Sequence, residues 1–142
     1  MLAIKVREAV EEDAPMVVQL MEDSLSPYYG GDHRAHARRI LATHLSGGRD
    51  QIGHFSFEQK IFIADLDGVA IGMINVVGKR QDTYKISPLI VAPEYRSGYG
   101  VGSSLLAFAE NYAQSHGARQ MYCTVAESND SAFSFFVRKG YV

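Results

Sequence analysis

The chain has 142 residues, 46% of them hydrophobic, with 14 basic against 16 acidic side chains, one Cys and no Trp. These values suit a single globular domain over 1–142 that buries a core of its own. A net charge of −2 excludes binding of nucleic acid or anionic lipid through bulk electrostatics. The apolar runs fall far below the ~20 residues of a membrane span, and the N-terminal MLAIKVREA has no signal-peptide core. Neither nucleic acid nor membrane is therefore expected as a partner, and a cytoplasmic location is. Cys123, in the apolar run MYCTVA, reads as a buried structural thiol.

Leu2, Ile4 and Val6 alternate with Ala3, Lys5 and Arg7, which predicts a first strand. Asp13 as N-cap and Pro15 in the first turn open a helix carrying Val17, Leu20, Met21 and Leu25, broken at Ser26-Pro27-Tyr28-Tyr29-Gly30-Gly31. A second helix is expected from about Asp32 to Leu45, closed by Gly47-Gly48, with an irregular loop from there to Gln59. Lys60 to Leu66 and Val69 to Val77 flank Asp67-Gly68, a strong hairpin signal. After a polar turn, Tyr84 to Val91 forms a further strand, irregular or unpaired on one side at Pro88, which has no ladder donor. Val101 to His116 is strongly amphipathic and stops at Gly117; Met121, Cys123 and Val125 alternate as a strand; a last helix runs from about Asn129 to Lys139. The order implies a mixed α/β (α+β) sheet flanked by helices.

The segment Ile90-Val91-Ala92-Pro93-Glu94-Tyr95-Arg96-Ser97-Gly98-Tyr99-Gly100-Val101-Gly102-Ser103 leads from a strand end into a helix N-terminus. Free N–H groups, the helix dipole and glycines that permit close backbone approach together suit a phosphate or pyrophosphate. A glycine turn that packs the helix tightly on the sheet would read the same way. A dinucleotide fingerprint is a poor match, because Gly98, Gly100 and Gly102 have the wrong spacing for G-x-G-x-x-G and the preceding strands are joined by tight turns. No Gly-Lys-Ser or Gly-Lys-Thr of a P-loop occurs.

Val91-Ala92-Pro93-Glu94-Tyr95-Arg96 followed by Gly100-Val101-Gly102-Ser103-Ser104-Leu105-Leu106 resembles the V-x-P and R-x-x-G-x-G halves of the GNAT N-acetyltransferase signature. The block Asn129 to Tyr141 is similar to that family's N-x-x-A-x-x-F-Y-x-x-x-G-F. The two blocks stand in the right order, and the resemblance spans nearly the whole chain. It implies a GNAT-like, mostly antiparallel central sheet flanked by helices, with acetyl-CoA as cosubstrate. Leu89, Ile90 and Val91 would contact pantetheine and acetyl, Arg96, Ser97, Gly98, Tyr99, Gly100, Val101, Gly102 and Ser103 would surround the pyrophosphate, and Asn129 would approach from the opposite strand end. Asn129 equally suits an N-cap. Two departures stand out: Ser97 occupies the place three residues before Gly100 where the family has Arg or Gln, and Phe136 replaces the tyrosine that protonates the leaving thiolate. The chain also stops at Gly140-Tyr141-Val142, where such a fold would enter its last strands. The expectation is therefore either a chain with truncated C-terminal strands or a sheet edge completed by a second copy in a homodimer.

The implied activity is acetyl transfer to a primary amine of a small molecule. The rival is a non-catalytic acyl-CoA sensor or interaction module, which Phe136 favours; a nucleotide-binding module is a third reading. No catalytic base stands out, the weak candidates being Asp82, Tyr84, Glu94 and Glu127. Ser26 to Phe57 is the implied acceptor region; its His33, Arg34, His36, Arg38, Arg39, His44 and His54 suit an anionic acceptor or, the preferred reading, a solvated basic helix. No metal is expected, since no carboxylate or cysteine completes a ligand set.

Overall fold

The structure is a computed structural model and describes residues 3–48, 56–96, 98–126 and 128–141. Five strands form one sheet in the order β1 (Ile4–Glu8), β2 (Ser56–Leu66), β3 (Val69–Lys79), β4 (Thr83–Val91) and β5 (Gln120–Cys123). The first three pairings are antiparallel and β4 with β5 is parallel. Helices α1 (Ala14–Leu25) and α2 (His33–Leu45) precede β2; α3 (Val101–Ser115) joins β4 to β5, and α4 (Asp130–Arg138) follows. This is the expected mixed fold.

Alternation along the strands feeds two cores. Val17, Met21, Ala37 and Leu41 of α1 and α2 cover Ile61, Ile63, Met73 and Ile90 on one face, whereas Val101, Leu105, Leu106, Ala109 and Phe136 of α3 and α4 cover Phe62, Ile74, Val76, Tyr84 and Ile86 on the other. Asp67 and Gly68 both take positive φ, 50° and 88°, as a two-residue hairpin with the native strand twist requires. Gly72 lets α3 close on the sheet: a Cβ there would stand 3.1 Å from Leu105 and 3.2 Å from Val101.

Three expectations need correction. Asp13 stands at the N-cap position of α1 as expected, but its side chain caps no N–H of that helix; its carboxylate accepts from the Arg7 guanidinium at 2.8 and 3.0 Å and from the Val10 N–H at 2.7 Å, because a buried carboxylate gains more from a bidentate cation than from a helix end. Phe57, Glu58 and Gln59 are not loop but part of β2, whose polar side chains find buried partners. β5 stops at Cys123, short of Val125, and has β4 as a partner along one edge; among the described residues its outer edge is unpaired. Leu2, His54 and Phe55 lie outside the described residues. No described helix is long and apolar enough to cross a membrane.

Candidate functional site

The opening in the sheet begins inside β4. Ladder pairing runs Val76 with Ile86 and then Ile74 with Leu89, so Asn75 alone faces both Ser87 and Pro88. This is a β-bulge, the irregularity expected at the proline. Parallel pairing with β5 covers Thr83 to Ile86 and ends with Ile86 opposite Cys123. Beyond it Leu89, Ile90 and Val91 remain paired with β3 alone among the described residues.

The polar groups on that free edge follow from the ladder. The Ala92 N–H donates to the Ile71 carbonyl at 2.8 Å, so by antiparallel alternation Ile90 directs its backbone toward β3, and Leu89 and Val91 direct theirs to the open side. The Ile90 side chain is buried against α1. Of the three residues implied for the cofactor arm, Leu89 and Val91 thus carry the available backbone groups. The Val91 carbonyl is already taken by Arg96 Nε at 2.9 Å, and Arg96 Nη2 reaches Ser24 Oγ of α1 at 3.3 Å. Arg96 therefore ties the end of β4 to α1, a role that its place in the sequence motif does not reveal.

After the short 3₁₀ turn Pro93–Tyr95, the chain reaches Gly98 (φ 85°) and Gly100 (φ 69°), and α3 begins at Val101. A Cβ at Gly98 or Gly100 would meet nothing within 4 Å. Their glycine character thus answers to positive φ and to open space before the backbone, not to a packed neighbour. Gly102 differs, since its Cβ would stand 3.3 Å from the Phe135 ring; it seats α4 against the first turn of α3. Tyr99 is exposed and braced edge-to-face on Tyr95 at 5.3 Å. The Val101, Gly102 and Ser103 N–H groups belong to the first turn of a fifteen-residue helix, where no intrahelical acceptor exists. An anion beside this turn would meet free donors and the positive end of the helix dipole. Ser97 lies outside the described residues.

Asn129 caps α4, its side chain accepting from the Ala132 N–H at 3.3 Å. Phe136 is buried between Phe135 and Tyr141, with centroids 5.2 and 5.4 Å away. Of the weak base candidates, Asp82 sits in the turn before β4 with its carbonyl bonded by the Arg119 N–H at 2.7 Å. Seven residues at ~3.3 Å each put it more than about 20 Å from Leu89. Tyr84 is 1% exposed and donates to buried Glu58, which also accepts from Tyr112 at 2.9 Å. The structure brings neither Asp82 nor Tyr84 to the free edge. Glu94 is exposed in the turn after β4, and Glu127 lies outside the described residues.

The α2 histidines divide. His44 is buried, with Nε2 on the Ala9 carbonyl at 2.9 Å and Nδ1 accepting the Ile61 N–H at 3.1 Å. Burial holds its pKa below the ordinary histidine value, although the Ala9 carbonyl opposes the shift. His33 is also buried, on the Tyr29 carbonyl at 2.9 Å. Both fasten helices and leave the proposed acceptor surface to Arg34, His36, Arg38 and Arg39. Burial pushes the half-buried Cys123 thiol up, away from nucleophilic reactivity. Among the described residues no three His, Cys, Asp or Glu side chains gather as metal ligands. A cavity of about 490 Å³ lies on the far flank of β5, walled by Glu110, Arg119, Tyr122, Lys139 and Tyr141; none of the implied cofactor residues lines it.

The strand break, the glycine turn and the helix start coincide with a family-wide match. The model of the acetyltransferase (GNAT) family matches residues 17–141. The chain belongs to the GNAT acetyltransferase family. Solved structures share its fold at low identity. A transcriptional regulator from Bacillus halodurans C-125 is 18% identical with a TM-score of 0.75, covering 99% of this chain and 93% of its own. The aminoglycoside N-acetyltransferase AAC(6')-Iy in complex with CoA is 20% identical at TM-score 0.71, covering 100% and 90%. The PaiA N-acetyltransferase from Thermoplasma acidophilum in complex with coenzyme A is 18% identical at TM-score 0.75, covering 97% and 89%. No curated protein matches the sequence.

Proposed function

We propose that this GNAT domain is a cytoplasmic N-acyltransferase that moves an acetyl group from acetyl-CoA to a primary amine of a small molecule. The observation that carries the reading is the free edge of β4, running directly into an open glycine turn and the first turn of α3. The residues suit the cosubstrate: Leu89 and Val91 offer backbone groups to a pantetheine arm, and the open space at Gly98 and Gly100 leaves room for a pyrophosphate on the α3 N–H groups. Acetyl-CoA supplies the activated thioester.

An amine of pKa about 10.4 is protonated at pH 7 by about 3 units, or roughly 4 kcal/mol. A base or a desolvated pocket has to offset that cost. With Asp82 and Tyr84 remote, Glu94 is the described carboxylate candidate nearest the free edge in sequence. An outward N–H of Leu89 or Val91 would polarise the thioester carbonyl, so positioning and fixed dipoles carry much of the rate. Phe136 cannot donate a proton; the departing thiolate takes one from water, from the amine or from another hydroxyl.

Incubation with acetyl-CoA and an amine panel, followed by detection of free thiol, tests the proposal. Acetyl-CoA binding without turnover on any acceptor supports the second reading, a non-catalytic acyl-CoA module, which Phe136 favours. The homodimer expectation rests on the outer edge of β5, and gel filtration at the mass of one chain would remove it.

A further inference from the structure

β4 does not break at Pro88 by its missing donor alone, because a side-chain network stands behind the bulge. Asn75 is 2% exposed and Gln59 3%. Gln59 Nε2 donates to Asn75 Oδ1 at 2.8 Å and to the Ile40 carbonyl of α2 at 3.0 Å, and Asn75 Nδ2 donates to the Ser87 carbonyl at 2.8 Å. The chain of contacts thus runs from α2 through β2 and β3 to the Ser87 carbonyl inside the bulge. Two buried amides inside a sheet carry a desolvation cost unless every group is used, and here the Asn75 amide donates to the carbonyl of a residue that the bulge takes out of the ladder register. Pairing with β5 ends at Ile86, directly before Ser87.

We propose that Asn75, oriented by Gln59, is a positioning residue that fixes the bulge at Ser87-Pro88 and so sets the direction of the free edge Leu89–Val91. The inference rests on the acetyl-CoA reading of that edge. Asn75 touches no substrate; it acts through the Ser87 carbonyl. Removal of its amide leaves the bulge without its anchor, while the hydrophobic faces of β3 and β4 keep the sheet together.

The test compares wild type with Asn75→Leu and Asn75→Asp. Asp keeps the size and the acceptor for Gln59 but loses the donor to Ser87, so it decides the matter if the Leu variant does not fold. Two readouts are taken on each protein: amide hydrogen exchange in the ligand-free state and CoA affinity by calorimetry. The expected result is about tenfold faster exchange at Ile90 and Ala92 with β2 unchanged, and about tenfold weaker CoA binding, the size of one lost hydrogen bond to a buried group. Exchange at Ile90 and Ala92 equal to wild type in the folded variants overturns the inference, as does unchanged CoA affinity. Wild type that binds no CoA refutes the cosubstrate reading instead, and the exchange comparison still judges Asn75.

Discussion

The two halves of β4 differ in what surrounds them. From Thr83 to Ile86 the strand has β3 on one side and β5 on the other, and its inward Tyr84 is sealed against Glu58 and Tyr112. From Leu89 to Val91 it has β3 alone among the described residues, and of its outward backbone groups only the Val91 carbonyl has a partner there, Arg96. The first half satisfies its polar groups within the fold, which is what stability requires. The second leaves several unsatisfied by the sheet, which is what a ligand requires. The bulge at Ser87-Pro88 is the boundary between the two.

Substitutions aimed at one half should spare the other. The largest effect belongs to Gly100→Trp, whose ring would fill the open space before the turn; CoA binding should weaken more than about 100-fold. Gly100→Ala shares the positive-φ strain of ~1–2 kcal/mol without the ring, so calorimetry should find most of the affinity retained. Equal affinity for the Trp variant and wild type would refute the assigned turn. In the sealed half, Glu58→Ala removes the shared acceptor of the buried Tyr84 and half-buried Tyr112 phenols and should cost on the order of 3 kcal/mol in urea unfolding, with CoA affinity unchanged in the folded protein. A parallel loss of affinity would erase the distinction between the halves.

Phe136→Tyr places a hydroxyl in an apolar contact. A loss of about 1 kcal/mol with the rate and its pH profile unaltered is expected; a new alkaline limb in kcat, where the phenol loses its proton, would place this side chain at the thiolate. Smallest is the pH dependence that His44 and Asp13 impose. The folded His44 value is depressed, so its contribution is complete above the unfolded value of about 6.5 and fades as pH falls through the folded one. At Asp13 burial raises the value, yet the Arg7 guanidinium, the Val10 N–H and further charge interactions outweigh it. The net depression adds stability that is full above about pH 4 and lost as pH falls through the folded value. NMR titration should place the His44 midpoint under 6.5, and urea midpoints should fall on acidification less steeply in His44→Leu than in wild type.

The sequence made the element order, the hairpin at Asp67-Gly68 and the glycine turn legible, because each depends on local chemistry: alternation, positive φ and helix starts. The bulge was legible too, since a proline inside a strand removes a donor wherever the strand lies. Glu58 and Gln59 were not. Their polarity argues for a loop until the partners are known, and those partners, Tyr84, Tyr112 and Asn75, are distant in sequence and meet only in the folded sheet. His44 misleads in the same way, a basic-looking helix position that serves as a neutral buried tie from α2 to the end of β1 and the middle of β2. Arg96 fits a phosphate motif by spacing, yet its guanidinium binds the Val91 carbonyl and Ser24.

Hydrogen exchange read by mass spectrometry with and without saturating CoA tests the central claim most directly. Protection at Leu89, Val91 and the first turn of α3, with Thr83–Ile86 and β5 unchanged and no protection from NAD or ATP, is the predicted result. Protection confined to other elements, or none on addition of CoA, would contradict it.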